Sequence, residues 1–341
     1  VHGTPPLGEL LERLCGMLGY DKALFSNGGV EANEAAIKLM RKWGHKVKGV
    51  PKDMGRIIVF DGNFAGRTST IVGFSSVPTY KDGFGPYAKN AFVSLPYGDI
   101  EALKRTLIED STSVPPTIVG LHIEPIQGEG GVVIPPHDFL KVCEQMCKMH
   151  NVVFCVDEIQ TGLGRTGQLL ASWRENVKPD LVVLGKTLGA GKQAVSAVVG
   201  KSEFMVFAPG DHGSTYGGNY QAMALANEAL AIIVDENLCD NALINGDYLL
   251  RLLRRELYHQ PMKSLVKEVR GRGLMIGIEL ESVIDSHVVI DKLLENGVMT
   301  KDARRNVIRV TPPLIITKEE CQLLAERIGK TIAQLALAMK R

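Results

Sequence analysis

Short apolar runs with no polar alternation recur along the first part of the chain. They are rich in valine and isoleucine, which is typical of strands covered on both faces. Helical spacing of apolar positions separates many of them, at 31–43, 99–109 and 137–150. Asp99 is placed to cap the second of these helices. We therefore predict a doubly wound α/β sheet of parallel strands. The predicted strands are 56–60, 117–125, 151–158, 180–186 and 194–200.

The pattern changes from about residue 215 onward. A long helix rich in alanine and leucine comes first, and a second helix follows it. A strand pair or one bulged strand is then predicted at 266–280, a further strand in 307–317 and a final helix at 318–339. We expect a large domain at 1–235 and a smaller α+β domain at 236–341.

Charge and cysteine usage narrow the range of functions. The 39 basic and 38 acidic residues give a net charge of +1 without a charged block, so neither nucleic acid nor an anionic membrane is expected as a partner. No apolar run approaches membrane-spanning length. The six cysteines lie in apolar contexts and favour reduced, buried thiols over a disulfide framework. Cys143 and Cys147 lack further ligands at matching spacing, so no metal site is predicted.

Charged residues follow three of the predicted strands. Glu124 ends one strand, Asp157 and Glu158 end the next, and Lys186 ends a third. In open α/β sheets, ligands bind beyond the carboxyl ends of the strands. A single charge at such a position often only reaches solvent. Charges of both signs on three strands favour a ligand site.

Three further segments have both a functional and a structural interpretation. Gly28 and Gly29 precede a helix and fit a phosphate cradle, although Asn-Gly-Gly is also a common turn. Phe64 and Arg67 fit a ring that stacks on a planar ligand and a cation that binds a carboxylate; a core phenylalanine and a surface arginine are the alternative. The loop 212–219 suits anion contact or an irregular connection.

Two segments are similar to nucleotide-binding motifs, but the residues around them exclude both motifs. The GLGRTG run at 162–167 matches G-x-G-x-x-G, but residues intervene after the strand and no clear helix follows. From Gly185 the spacing to Gly191 and Lys192 is one residue too long for a P-loop, and Gln193 stands where serine or threonine is needed.

The segments VDEIQTGLGRTG, LGKTLGAG and HGSTYGGN closely resemble class III aminotransferases, which are pyridoxal-phosphate (PLP) enzymes of fold type I. GVEANEAAIKLMRKWGHKVKG, YKDGFGPY and EPIQGEGGVVIP are most similar to the ornithine δ-aminotransferase branch, with acetylornithine and other ω-amino acid aminotransferases as the alternative. The resemblance covers essentially the whole chain. It implies a mostly parallel central sheet with helices on both faces and a smaller C-terminal domain. Because the family usually begins well before Val1, a preceding segment is also expected.

The resemblance assigns roles toward PLP. Lys186 is implied to hold the cofactor covalently and to move a proton, and Asp157 to pair with the pyridine nitrogen. Gln160 is implied to bind the phenolic oxygen, and Phe64 to stack on the ring. Lys192 is expected to have no such role.

The resemblance also assigns the phosphate contacts and the assembly. Gly29 and Val30 are implied to offer backbone N–H groups to the phosphate. Thr215 is implied to reach the cofactor of the neighbouring subunit, which makes the active unit a homodimer.

For substrates, Arg67 and Arg309 are implied to bind carboxylates, and Glu129 to mask Arg309 while ornithine is bound. The implied reaction is ping-pong transfer of the δ-amino group of L-ornithine to 2-oxoglutarate, giving glutamate and a semialdehyde that cyclises to pyrroline-5-carboxylate. The resemblance implies a place for this reaction in arginine and proline metabolism, in the cytoplasm or the mitochondrial matrix. An inactive fragment or a PLP-fold binding protein is the non-enzymatic alternative. Glu124 is expected only to support the site.

Overall fold

The computed structural model describes residues 3–88, 90–282, 284–304 and 306–339. Two compact units divide the chain. The first comprises the chain up to Pro125, Pro135–Gly162 and Ser172–Ile232, and the second comprises Ile126–Ile134, Leu163–Ala171 and the chain from Ile233 onward. The domain boundary expected at residue 235 stays a prediction.

The first unit alternates strands and helices, as predicted. Its strands are β1 Lys22–Ser26, β2 Arg56–Phe60, β3 Phe92–Leu95, β4 Ile118–Ile123, β5 Val153–Asp157, β6 Leu181–Leu184 and β7 Ser196–Gly200. Its helices are α1 Pro5–Leu18, α2 Gly29–Lys46, α3 Ser69–Gly73, α4 Pro78–Lys81, α5 Ile100–Ser111 and α6 Phe139–Met149, and α7 Tyr220–Asp235 contains the boundary to the second unit. Asp99 caps α5 as expected, because its side chain accepts a hydrogen bond from Ala102 N at 2.9 Å.

Among the described residues, seven strands form one sheet in the order β1-β7-β6-β5-β4-β2-β3. The neighbours from β3 to β6 pair in parallel. The expectation that 194–200 is also a parallel strand is wrong, because β7 pairs antiparallel with both β6 and β1. An apolar run shows burial on both faces but not strand direction, so the pattern did not reveal this reversal.

Alternate residues of the central strands pack into two separate cores. Ile57 and Val59 of β2 join the core formed with α2, whereas Ile58 and Phe60 join the core formed with α5 and α6. Helices therefore cover both faces of the sheet, which explains why its strands lack polar alternation. The carboxyl ends of β4, β5 and β6 lie along one edge because these strands run parallel.

The second unit contains a smaller antiparallel sheet. Its strands, ordered β10-β11-β9-β8, are β8 Val266–Arg272, β9 Met275–Leu280, β10 Lys301–Ala303 and β11 Val307–Val310, and its helices are α8 Leu238–Leu257, α9 Ser286–Glu295 and α10 Lys318–Ala338. Residues 266–280 thus form a strand pair, which was one of the two predicted alternatives, and the predicted final helix is present. Helix α10 packs on α8, and Thr317 and Glu320 cap its start reciprocally. None of the helices in the described ranges has both the length and the apolar composition that a membrane crossing requires.

Candidate active site

The predicted glycine cradle lies at the start of α2. Gly28 is the N-cap residue, and the Glu31 carboxylate accepts hydrogen bonds from Asn27 N and Gly28 N, each at 2.8 Å. Within the described chain, the N–H groups of Gly29 and Val30 donate to no protein acceptor. A Cβ at Gly29 would lie 2.8 Å from Ile159 Cδ1, so a larger residue here would require the end of the Ile159 side chain to shift. The two N–H groups and the positive end of the helix dipole suit an anion.

Asp157 ends β5 in a buried hydrogen-bond network. Its side chain is only 4% exposed and accepts hydrogen bonds from Asn33 Nδ2 at 2.8 Å and from Ile159 N at 2.9 Å. Asn33 is fully buried on α2, and its Nδ2 also donates to Ala65 O at 3.1 Å. The carboxylate is thereby fixed in position before any ligand arrives.

His122 of β4 completes this network. Its Nε2 lies 2.7 Å from Asn33 Oδ1. Because Asn33 Nδ2 already donates to two oxygens, Oδ1 must be the acceptor and His122 Nε2 must carry a proton. Burial lowers the pKa of His122 below its usual 6.5, against the nearby charge of Asp157, which raises it. A neutral His122 therefore supports Asn33, and Asn33 supports Asp157.

Lys186 lies two residues after the end of β6, which is the neighbour of β5 in the sheet. Asp157 pairs with Val183 in the parallel register, and Lys186 lies three residues after Val183, just beyond the end of β6. Gly185 is buried, whereas Lys186 is exposed, has φ +42° and begins a 3₁₀ turn. Lys186 therefore lies at the carboxyl end of the sheet, where Asp157 also lies.

Ile159 packs these parts together. Its side chain lies against Gly29 at the start of α2 and against Gly185, where an added Cβ would be 3.5 Å from Ile159 Cγ1. Ser196 of β7 also donates to Gly28 O at 2.8 Å. The structure thus gathers the glycine turn, the end of β5 and the end of β6, while Gln160 is half-buried just beyond Ile159.

Phe64 and Arg67 lie in the loop after β2. Phe64 N donates to Glu124 Oε1 at 2.9 Å, so Glu124 helps to hold this loop in place. Gly66, with φ +129°, approaches α2 so closely that a Cβ would lie 2.3 Å from Val30 Cγ2. The Arg67 side chain is exposed and stacks on Tyr80.

The predicted loop at 212–219 lies beside the glycine turn. Asn27 Nδ2 donates to Ser214 Oγ at 3.2 Å. Thr215 and Tyr216 are exposed. The contact of Thr215 with a neighbouring subunit's cofactor stays a prediction.

In the second unit, Glu129 and Arg309 form an ion pair. Their side chains are 19% and 13% exposed, respectively. Arg304 N also donates to Glu129 O at 3.1 Å, which anchors this segment. Removing one partner from an ion pair this sheltered leaves a poorly solvated charge.

The cysteines form no disulfide among themselves. Cys143, Cys147, Cys155 and Cys321 are buried as expected, whereas Cys15 and Cys239 are only half-buried. Burial raises the pKa of the Cys147 and Cys155 thiols. No group of three or more potential metal ligands occurs in the part of the chain that the structure describes.

The family of this chain follows from its match to a model of a known protein family. The family model "Aminotransferase class-III" matches residues 1–332. The chain belongs to the class III aminotransferases. Members of this family use PLP, so the cofactor of this aminotransferase is PLP.

Similar proteins and structures agree with this assignment. An ornithine aminotransferase of Plasmodium yoelii yoelii is 44% identical over 331 residues, covering 96% of this chain and 77% of the relative. A crystal structure of ornithine aminotransferase from Toxoplasma gondii ME49 is 42% identical with a TM-score of 0.93, covering 100% of this chain and 79% of that one. A structure of acetylornithine aminotransferase from Elizabethkingia anophelis is 37% identical with a TM-score of 0.84, covering 98% and 80%.

The residues of this aminotransferase fit PLP. The buried Asp157 carboxylate suits a protonated ring nitrogen, the N–H groups of Gly29 and Val30 suit a phosphate, and Lys186 offers an amine at the same edge.

Sequence reasoning missed Asn33 and His122. Asn33 could have been identified as a lone asparagine on the apolar face of α2, and His122 as a histidine inside an apolar strand.

Proposed function

We propose that this chain transfers the δ-amino group of L-ornithine to 2-oxoglutarate. The observation that carries the proposal is the Glu129–Arg309 ion pair. The reacting end of ornithine has no carboxylate, whereas the reacting carbon of 2-oxoglutarate has one beside it. An enzyme that accepts both in turn needs a cation that an internal carboxylate can neutralise, and Arg309 paired with Glu129 would supply it. The relatives named ornithine aminotransferase also support the proposal.

Each residue then has a defined task. Asp157 would hold the ring nitrogen of PLP, Gln160 its phenolic oxygen and Phe64 its face, while Gly29 and Val30 hold the phosphate. When bound, PLP supplies the sink for the negative charge that develops on the substrate carbon.

Lys186 would take the proton from the carbon that bears the reacting amine, through its Nζ. Arg67 would bind the carboxylate at the other end of the substrate, bidentately. Arg309 would bind the second carboxylate of 2-oxoglutarate after Glu129 has moved away.

We also propose a homodimer in which Thr215 contacts the phosphate held by the neighbouring subunit. The exposed Thr215 side chain on a glycine-rich loop is consistent with such a contact. Sedimentation of the holoenzyme would test the dimer.

Parallel assays with L-ornithine, N-acetyl-L-ornithine and 4-aminobutyrate, each with 2-oxoglutarate, test the substrate. We expect kcat/KM for ornithine to exceed the other values at least about tenfold. A preference for N-acetylornithine would favour the acetylornithine alternative. A protein that binds PLP but processes none of the amines would favour the non-enzymatic one.

A further inference from the structure

The guanidinium of Arg67 is held by aromatic rings. Its Cζ lies 3.8 Å from the centroid of the Tyr80 ring and 5.7 Å from that of Phe64. Both distances are within the range of cation–π contacts. Throughout residues 3–88, 90–282, 284–304 and 306–339, Arg67 has neither an ion-pair partner nor a hydrogen-bond acceptor. The rings are therefore what orients this side chain.

Tyr80 itself is well anchored. Its half-buried ring meets Phe64 edge-on, with centroids 6.0 Å apart and planes at 77°. The short helix α4 that carries it is tied at its end, where Tyr87 Oη donates to Lys81 O at 2.6 Å and Lys81 Nζ donates to Gly73 O at 3.2 Å. Tyr80 can thus act as a fixed platform.

A ring that stacks on a guanidinium covers one face of it and leaves the N–H groups in its plane available to bind a ligand. A carboxylate binds arginine through that edge, with two parallel hydrogen bonds in the guanidinium plane. A free arginine would lose rotamer entropy on binding, whereas a stacked one has already lost most of it.

We propose that Tyr80 is a positioning residue that orients Arg67 for the substrate carboxylate remote from the reacting carbon. The inference rests on the proposed function for the identity of the substrate. The Tyr80 ring fixes the position of the Arg67 N–H groups. It thereby favours amino acids and dicarboxylates that are long enough for their remote carboxylate to reach those groups.

Binding of glutarate, a dicarboxylate that cannot react, tests the proposal by calorimetry on the holoenzyme. We expect Tyr80→Leu to weaken glutarate binding about tenfold, or about 1.4 kcal/mol, and Tyr80→Phe to change it less than about twofold. Tyr80→Gln is the second ring-free variant if the leucine protein does not fold. Equal affinities for the ring-free and ring-bearing proteins would overturn the proposal.

Steady-state kinetics separate positioning from a general structural effect. Tyr80→Leu should raise KM for ornithine about tenfold while kcat and the cofactor absorbance change less than about twofold. In an Arg67→Gln background, the same replacement should change kcat/KM less than about twofold. A full tenfold loss there would show that Tyr80 does not act through Arg67. The two proposals can fail separately. If Tyr80→Leu weakened glutarate binding but the native protein did not turn over ornithine, the proposed function would be refuted and the role of Tyr80 would stand.

Discussion

Replacing Asn33 with leucine removes the centre of the network behind Asp157. Asp157 loses the donor at 2.8 Å and keeps only Ile159 N at 2.9 Å. Ala65 O and His122 Nε2 lose their partner in the same step. Leucine matches asparagine in its branching and in its number of side-chain heavy atoms but is larger, so overpacking adds to the loss of hydrogen bonds.

The expected cost follows from these lost bonds. A buried polar group left without a partner costs about 1–3 kcal/mol, and a hydrogen bond to a charged group contributes about 1.5–3 kcal/mol. Because such effects are not additive, we expect Asn33→Leu to lower the free energy of unfolding by about 4 kcal/mol. We also expect PLP to bind about tenfold more weakly, since the Asp157 carboxylate loses its fixed orientation.

Urea unfolding of the apoprotein and absorbance titration with PLP measure the two effects. Asn245→Leu is the matched control, because Asn245 is 8% exposed on a helix and donates to Asn241 Oδ1 at 2.9 Å and to Ile316 O at 2.8 Å. This control should lose stability and keep its affinity for PLP. If both variants lost PLP affinity equally, or if Asn33→Leu kept it, the reasoning about Asp157 would be refuted.

Three further predictions concern single residues. Lys186→Ala should abolish transamination, whereas replacement of the exposed Lys192 by alanine should leave most of it; equal losses in the activity assay would contradict this division. Glu129→Gln should uncover Arg309 and raise kcat/KM for glutamate relative to ornithine about tenfold, and an unchanged ratio would argue against masking. The pKa of His122 is lowered on folding, so its contribution to stability is present above about pH 6.5 and is lost as pH falls below that value. The free energy of unfolding, measured in urea, should therefore fall less between pH 7.5 and pH 5 for His122→Gln than for the native protein.

The alternation of strands and helices was predictable because burial on both faces leaves a clear apolar signature. The five predicted strands correspond to β2, β4, β5, β6 and β7. The sequence did not indicate β1 and β3, which lie at the sheet edges and are only partly buried. It did not reveal the reversed direction of β7 either, because direction depends on pairing with β6 and β1.

The candidate site was predictable where a charge interrupts an apolar strand end. Asp157 and Lys186 stand out in this way, and the structure brings their strand ends together. Asn33 and Tyr80 could not be assigned from local sequence, because their roles depend on contacts with distant residues. Asn33 reaches Asp157 across 124 positions of the chain.

Transfer of a labelled nitrogen tests the central claim most directly. The holoenzyme would be incubated with 2-oxoglutarate and L-ornithine carrying nitrogen-15 only at the δ-amino group, and the products would be followed by nuclear magnetic resonance. The account predicts that the label appears in glutamate, because the terminal amine would be presented to Lys186 while Arg67 binds the α-carboxylate. Label retained in the ornithine-derived product, with unlabelled glutamate formed, would mean that the α-amino group reacts and would contradict the account.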